Sequence, residues 1–320
     1  MLNNLNLKSV FKNELIYFIK YKRSQGLSYQ NEVYRLKKVD DILCELKLRK
    51  KEINKTTFDY LTKRNVDNNN YNYARQYGIT KDFCKYLVSC GYENIYYEEK
   101  KFRIINNYKP TIFSKQEIKV LFQTMDNYKY HQDKKYYMLN YTYSIFFRLM
   151  YACGLRISEV IKITVDDINF DKNTIAIVDS KRHYSRLIVF SNSLKKCLED
   201  YIKICNIKNG LLFRNINGNI LNRTSLRTYY KKILKEANLD FAAHIHDLRH
   251  CFANDAFNQM LEKGYDENVV LIYLFKYMGH KTIRETEYYL HFTDYNKNRV
   301  LMLNNDFSKN LYEGVGYDEQ

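Results

Sequence analysis

The sequence predicts a mainly α-helical protein with a small β-sheet, arranged as a helical N-terminal domain and a larger mixed α/β domain. The chain has 320 residues, more than one ordinary domain needs. Hydrophobic residues make up 45% and charged residues 28% of it, which indicates a globular rather than a disordered protein. Apolar residues recur at helical spacing over most of the chain, and strand-like segments are confined to one short stretch.

The N-terminal domain is predicted over residues 1–95. Apolar residues recur every three or four positions at 10–19 and again at 33–46, which predicts two helices. The Asn-rich stretch 65–72 is expected to form a loop. Two further helices are expected, a short one capped by Thr56 or Thr57 and one from about Tyr71 to Cys90 that stops at Gly91.

A linker is predicted at 96–110, where charged runs occur with the single proline of the chain. The larger domain is predicted over 111–305, and the polar tail 306–320 is expected to be mobile. Ser114 and Glu117 have the spacing of a capping box, which opens the first helix of this domain. The elements expected after it are a long helix at 136–153 that stops at Gly154, a hairpin of strands 174–178 and 186–190, and helices at 193–206, 225–237, 247–260 and 268–278.

The charge of the chain points to a polyanionic partner. Lysine and arginine number 52 against 36 acidic residues, a net charge of +16 with a pI of about 9.3. Residues 1–110 hold 22 of the basic and 12 of the acidic residues, so this part is the more densely charged. Nucleic acid is the first expectation and an anionic membrane surface the second. A basic protein without such a partner is the alternative that charge alone leaves open.

Cysteine usage and hydropathy narrow the class of protein and its expected location further. The seven cysteines include no Cys-x-x-Cys pair, so neither a disulfide framework nor a structural zinc site is expected. Cysteines that stay reduced fit a cytoplasmic location. Separately, no cofactor is expected. The longest apolar runs fall far short of the roughly 18 residues that a membrane helix needs, so no membrane span is expected. The first residues lack a basic-then-apolar signal, so export is not expected.

Four local patterns carry residues suited to phosphate chemistry. Segment 153–159 reads Cys-Gly-Leu-Arg-Ile-Ser-Glu, where one helix ends at glycine and another begins. Segment 180–186, at the predicted hairpin tip, places Lys181 where it could enter a groove. Segment 246–250 reads His-Asp-Leu-Arg-His at a helix start, where cationic donors suit a phosphate. In segment 278–291, a Met-Gly-His turn is followed nine residues after the histidine by Tyr289.

Each pattern alone has an ordinary structural explanation. Arg156 could be a surface arginine in a helix turn, and Lys181 a solvated lysine in a hairpin. His246 and Arg249 could belong to a surface cluster beside a core histidine. The chain has 32 tyrosines, so any chosen position is tyrosine about one time in ten, and most tyrosines serve packing.

Taken in order, the four patterns resemble the tyrosine recombinase (phage integrase) family. The resemblance covers about 110–300 by motif, and the preceding helices are similar to the core-binding domain of that family in size and position. The match implies the following site: Arg156 and Arg249 as the catalytic arginines, Glu159 as a supporting acid, Lys181 as the hairpin lysine, His246 and His280 as the histidines, and Tyr289 as the nucleophile.

Two positions depart from the usual family pattern. The frequent Gly-Lys-Gly hairpin is here Ser-Lys-Arg at 180–182, and the usual Tyr-Thr-His is Tyr-Leu-His at 289–291. Tyr288 adjoins Tyr289, and the spacing from His280 selects Tyr289.

The resemblance implies an enzyme that cuts and rejoins double-stranded DNA through a 3′-phosphotyrosyl intermediate and a Holliday junction. It also implies a homotetramer on two DNA sites, in which a C-terminal helix at 295–305 is exchanged between subunits. A helix packed on its own domain is the alternative for that segment. The intact set of site residues argues against an inactive DNA-binding regulator, a membrane-surface protein or an RNA-binding protein, while a topoisomerase-like nicking enzyme would share the chemistry.

An integrase or transposase of a mobile element is the expected biological role, and an Xer-like chromosome or plasmid dimer resolvase is the alternative. The core-binding-like helices begin near residue 8. An additional N-terminal arm-binding domain is therefore not expected.

Overall fold

The computed structural model describes residues 5–27, 29–64, 70–102, 108–128, 134–179, 184–240, 242–280 and 282–290. The chain divides into two compact units, Met1–Tyr108 and Lys109–Gln320. The predicted domain boundaries at 95 and 111 stay predictions beside this division. The fold is mainly helical with a small antiparallel sheet, which confirms the predicted fold class. Among the described residues, no helix combines the length and apolarity that crossing a membrane requires.

Four helices form the N-terminal unit: α1 (Lys12–Ser24), α2 (Asn31–Glu45), α3 (Lys55–Leu61) and α4 (Asn70–Ser89). Their apolar faces enclose one core, in which Leu15, Phe18, Leu36, Phe58 and Phe83 are buried. The buried carboxylate of Asp40 on α2 accepts the backbone N–H groups of Lys8 and Ser9, each at 2.9 Å. This contact ties the segment before α1 to the second helix.

Two details of this unit, the cap of α3 and the loop at 65–72, differ from the sequence-based expectations. Asn54, and not Thr56 or Thr57, caps α3 through a bond from the N–H of Thr57, because an Asn side chain reaches that N–H from the residue before the helix. The expected loop at 65–72 is helical from residue 70 onward, and 65–69 lies outside the described residues. Residues 96–102 of the expected linker include aromatic side chains that pack on the core of this unit.

In the second unit, helices precede and follow the three strands along the chain. A short 3₁₀ turn, Val165–Asp167, leads into the sheet. The elements are α5 (Lys115–Asn127), α6 (Lys134–Cys153), α7 (Ile157–Val160), β1 (Ile168–Asn169), β2 (Thr174–Asp179), β3 (Tyr184–Val189), α8 (Asn192–Ile204), α9 (Arg223–Glu236), α10 (Asp247–Glu262), α11 (Glu267–Met278) and α12 (Ile283–Leu290).

The sheet has strand order β1-β2-β3, with both neighbouring pairs antiparallel. The predicted hairpin is β2 and β3, while the short strand β1 was not predicted. Ile175 pairs with Ile188, and both are fully buried, so this face of the hairpin joins the core of the unit. The expected capping box of α5 is present, since the side chains of Ser114 and Glu117 each bond the backbone N–H of the other.

Two glycines end the helices that lead to the functional residues. Gly154 follows α6 with a φ of +59°, and Gly279 follows α11 with a φ of +61°. Both lie in the left-handed region, which side chains other than glycine rarely adopt. A Cβ atom at Gly154 would also lie 2.2 Å from the ring of Phe252. The chain can therefore turn from α6 into α7 at this place only with glycine.

We predict that Gly154→Ala destabilises the protein more than Gly264→Ala. Gly264 also has a positive φ, +85°, but a Cβ there would meet open space, so its variant carries only the backbone cost of about 1–2 kcal/mol. Gly154→Ala adds a clash with Phe252, worth about 1–3 kcal/mol more. Urea unfolding of both variants measures the difference. Equal losses would show that the ring moves aside without cost.

Candidate active site

Two arginine side chains meet at the turn after α11. The Nη2 group of Arg249 donates to the carbonyl oxygen of Met278 at 2.7 Å. The Nη2 group of Arg156 donates to the carbonyl oxygen of the next residue, Gly279, at 2.8 Å. Residues 93 positions apart in the sequence are thereby held at consecutive peptide groups, with both positive charges on one turn.

Arg156 is positioned by the short helix that follows it. It is the N-cap residue of α7, and the Glu159 carboxylate accepts its backbone N–H at 2.8 Å and its Nη1 group at 3.0 Å. The Arg156 side chain keeps 31% of its surface exposed. These bonds to Glu159 and Gly279 use two of its five guanidinium N–H donors, and among the described residues the other three have no protein acceptor. Arg156 can therefore offer donors to a ligand.

Arg249 lies in the first turn of α10 and is fully buried. Besides the carbonyl of Met278, its guanidinium bonds the carbonyl of Gly154 and lies 2.9 Å from Nε2 of His280. Arg249 thus joins the turn after α6 to the turn after α11. A buried guanidinium needs such partners, because an unpaired charge in the protein interior is costly.

His280 is held from both sides of its ring. Nε2 faces Arg249, and Nδ1 lies 2.8 Å from the hydroxyl of Thr286 on α12. The ring is 9% exposed. Burial, followed by the nearby positive charges of Arg249 and Arg156, lowers the pKa of His280 to about 3. The ring is therefore neutral at pH 7.

His246 is the N-cap residue of α10 and is exposed. Its pKa is nevertheless lowered, first by partial removal from water and then by the charges of Arg249 and Arg156. The rings of His246 and His250 lie 5.3 Å apart, nearly perpendicular, and His250 is buried. His246 is thus a neutral imidazole that a ligand can reach.

A third arginine, Arg186 on β3, belongs to the same cluster and was missed in the sequence. Its Nη2 group bonds Glu159 at 2.8 Å, and its Nε group donates to the carbonyl of Tyr277 at 2.9 Å. The signal that could have revealed it is strand alternation, because Arg186 occupies the inward-facing register of Ile188. An arginine at such a position needs a buried acid as partner.

Glu159 is the acid that serves both arginines. Burial would raise its pKa, but the hydrogen bond and charge of Arg186, together with the bond and charge of Arg156, outweigh it. The pKa of Glu159 therefore lies below its ordinary value near 4.5, and the carboxylate is ionised at pH 7. It fixes Arg156 and Arg186 while neutralising part of their charge.

The structure brings Arg156, Glu159, Arg249, His280 and His246 into one cluster, as the hydrogen bonds and mutual charge effects show. Lys181 lies outside the described residues, between the ends of β2 and β3. Tyr289 belongs to α12, which contacts α10 and α11, but its side chain is not among those described.

Cationic donors and neutral imidazoles on one turn are suited to a bound phosphate. Guanidinium groups bond phosphate oxygens with several N–H donors at once. Such donors, held in place before the ligand arrives, stabilise negative charge that grows during a reaction. Among the described residues, no group of three or more His, Cys, Asp and Glu side chains could hold a metal ion.

Residues 112–296 match the family model described as the phage integrase family. This match spans more than half of the chain. The chain belongs to that family.

Known members and structures are similar to this chain at moderate identity. Tyrosine recombinase XerC of Staphylococcus carnosus is 27% identical over 201 residues, 61% of this chain and 62% of that protein. A probable integrase/recombinase of Acholeplasma phage L2 is 30% identical over 163 residues, 49% of this chain and 55% of that protein. The matches thus span about half to three-fifths of these relatives.

A crystal structure of the XerH site-specific recombinase bound to its palindromic difH substrate, a post-cleavage complex, has a similar fold. Its TM-score is 0.64 at 16% identity, covering 94% of this chain and 95% of that one. This integrase-family fold therefore extends over most of the chain.

We predict that Arg186→Met lowers the free energy of unfolding by about 1–3 kcal/mol, because it removes one partner of Glu159, whose side chain is only 13% exposed. Lys81→Met is the matched control, since its partner Glu99 is 61% exposed. Its loss should be below about 1 kcal/mol. Urea unfolding measures both. Similar losses in the two variants would contradict a structural role for Arg186.

The buried histidine predicts a fall of stability in mild acid. The pKa of His280 is about 3 in the folded protein and near 6.5 when exposed, so between these values the unfolded chain binds the proton more readily. The contribution of the neutral His280 to the free energy of unfolding is therefore fully present above about pH 6.5, and it is lost progressively as the pH falls below that value. His280 should account for about 1–2 kcal/mol between pH 7.5 and pH 5.

Urea unfolding at a series of pH values tests this expectation. The groups that face His280 are Arg249, Arg156, His246 and His250, which all disfavour its protonation. His280→Gln should reduce the dependence of stability on pH, whatever its effect at pH 7.5. An unchanged dependence would contradict a neutral, buried ring.

Proposed function

We propose that this chain is a site-specific DNA recombinase that cuts and rejoins DNA through a 3′-phosphotyrosyl intermediate. The observation that carries the proposal is the meeting of Arg156, Arg249 and His280 at one turn. The helix that follows this turn contains Tyr289. Membership of the phage integrase family supports the same chemistry.

Tyr289 is the proposed nucleophile. Its phenolic oxygen attacks the phosphorus of the scissile phosphodiester, a new P–O bond to tyrosine forms, and the bond to the 5′ oxygen breaks. The energy of the phosphodiester is kept in the protein–DNA bond. A phenol with a pKa near 10 is ionised in only about one molecule in a thousand at pH 7. The site must therefore assist the loss of the proton, and the exposed His246 would either take part in this proton transfer or hold the phosphate.

Arg156 and Arg249 stabilise the charge that grows on the non-bridging phosphoryl oxygens. The guanidinium of Arg156 is already held in place by the carbonyl of Gly279 and stays 31% exposed, so little reorganisation of this group is needed when DNA binds. Donors of this kind are worth about 10²–10³ in rate in other enzymes. Glu159 orients Arg156, and His280 orients Arg249.

The departing 5′ oxygen needs a proton, and Lys181 is the proposed general acid. The cleaved strand then ends in a 5′ hydroxyl. Attack by the 5′ hydroxyl of a partner strand on the phosphotyrosine restores the phosphodiester and releases the phenol. No bond is lost in the sum of the two steps, so no external energy source is required.

Double-stranded DNA is the proposed partner, and the net charge of +16 supports it. By family resemblance, we propose a tetramer on two DNA sites that passes through a Holliday junction and exchanges the helix at 295–305 between subunits. A protein that acts on bacterial or phage DNA would work in the cytoplasm.

Integration or transposition of a mobile element is the biological role that we favour, and the similarity to the integrase of a phage supports it. The similarity to XerC of Staphylococcus carnosus supports the alternative, the resolution of chromosome or plasmid dimers. DNA that flanks the gene contains the recombination sites in the first case.

We predict that Tyr289→Phe abolishes covalent attachment to DNA, because phenylalanine lacks the attacking oxygen. The measurement uses nicked duplexes made from the DNA flanking the gene, which trap the intermediate when the short fragment diffuses away. A denaturing gel of protein and 3′-phosphate-linked DNA reports the adduct.

Tyr288→Phe is the matched control, since the two tyrosines are neighbours on α12. It should retain the adduct. If Tyr288→Phe loses the adduct and Tyr289→Phe keeps it, the nucleophile has been assigned to the wrong residue. If neither variant loses it, α12 does not supply the nucleophile.

A further inference from the structure

His280 connects two buried groups from different elements. Its Nε2 atom lies 2.9 Å from Nη2 of Arg249 on α10, and its Nδ1 atom lies 2.8 Å from Oγ1 of Thr286 on α12. Arg249 and Thr286 are both fully buried. The contacts form a continuous chain from the first turn of α12 through the imidazole to the guanidinium.

The chemistry of arginine fixes the direction of these bonds. A guanidinium group has only N–H donors and does not lose its proton in proteins. Nε2 of His280 must therefore be the acceptor toward Arg249, which leaves the proton of the neutral ring on Nδ1. That N–H then donates to the hydroxyl oxygen of Thr286. The low pKa of His280, about 3, agrees with a neutral ring.

Without an acceptor at Thr286, the Nδ1–H group of His280 is left buried and loses this partner, which costs free energy. Moving the proton to Nε2 gives no relief, because an Nε2–H group would face the N–H of Arg249, donor against donor. The ring instead loses the contact that holds Nε2 against the guanidinium.

We propose that Thr286 is a positioning residue, whose hydroxyl accepts the Nδ1–H group of His280 and holds the ring so that Nε2 orients Arg249 for the phosphate. The effect on the reaction rests on the proposed function, while the hydrogen bond does not. Thr286 and the proposed nucleophile lie on the same helix of eight residues. The hydroxyl therefore also connects α12, which contains the proposed nucleophile, to His280 and Arg249.

The first experiment is a long-range ¹H–¹⁵N spectrum of the histidine side chains in the full chain without DNA. The chain has seven histidines, and His280→Gln assigns the signal of interest. In the wild type, Nδ1 of His280 should carry the proton and Nε2 should not. Thr286→Val should leave the proton on Nδ1 but shift the Nδ1–H signal and speed its exchange with water, and Thr286→Ser should restore the wild-type signal.

Thr80→Val is the matched control. Thr80 is a fully buried threonine of the N-terminal unit, whose hydroxyl bonds the carbonyl of Gln76. Its variant also loses a buried hydroxyl, but the His280 signal should stay unchanged. A wild-type ring protonated on Nε2, or an unchanged Nδ1–H signal in Thr286→Val, would overturn the proposal. Thr286→Ala replaces the valine variant if that protein does not fold, and the wild-type spectrum decides the tautomer in either case.

The second experiment measures single-turnover cleavage of the nicked duplexes. Thr286→Val should slow cleavage about tenfold, because the loss of one hydrogen bond raises the barrier by an amount that corresponds to about that factor. Its affinity for the duplex should be unchanged. Thr286→Ser should restore most of the rate. A normal rate in Thr286→Val would refute the positioning role. If the wild type does not cleave, the proposed function fails, and the spectrum still decides whether Thr286 holds the ring of His280.

Discussion

Arg249 and Arg156 donate hydrogen bonds to the consecutive carbonyl groups of Met278 and Gly279, and the arrangement of the site depends on this pair of contacts. The contacts require that the chain reverse direction immediately after α11. Gly279 provides the reversal with a φ of +61°, and the nearby guanidinium of Arg186 leaves little space for a side chain there. Arg186 lies within 3.1 Å of where a Cβ would be. A single backbone turn thus receives three arginines from three different elements.

Concentrating positive charge in this way is unfavourable unless the charges are compensated. Glu159 supplies one carboxylate for two guanidiniums, and the backbone carbonyls supply dipoles instead of charges. The cluster therefore keeps a positive excess that water screens poorly, since Arg249 is fully buried. The neutral state of His280 follows from its burial and then from the same excess of positive charge. A site built in this way attracts an anion and would reject a further cation.

The sequence predicted the parts of the fold that local rules control. Strand alternation predicted the hairpin, and Ser114 predicted the start of α5, because these signals depend on neighbours in the chain. The cap of α3 by Asn54 was missed because several nearby residues could cap the helix equally well. Arg186 was missed for a different reason. Its role depends on Glu159, 27 positions away, and only the tertiary fold brings the two together. The family resemblance identified the remaining cluster residues by motif order, which encodes spatial relations that local patterns do not contain.

The carbonyl contacts also explain how such a site can be both stable and ready to bind. Without a ligand, the guanidiniums satisfy part of their donors with neutral carbonyl oxygens of the turn. A guanidinium attracts an ionised phosphate more strongly than a neutral carbonyl oxygen, because the phosphate carries a net negative charge. Under the proposed function, a phosphate would take over or share donors of Arg156, which stays 31% exposed, without a large rearrangement. Preorganisation would reduce the ordering cost of binding, and the turn connects the proposed phosphate-binding groups to the helix that contains Tyr289.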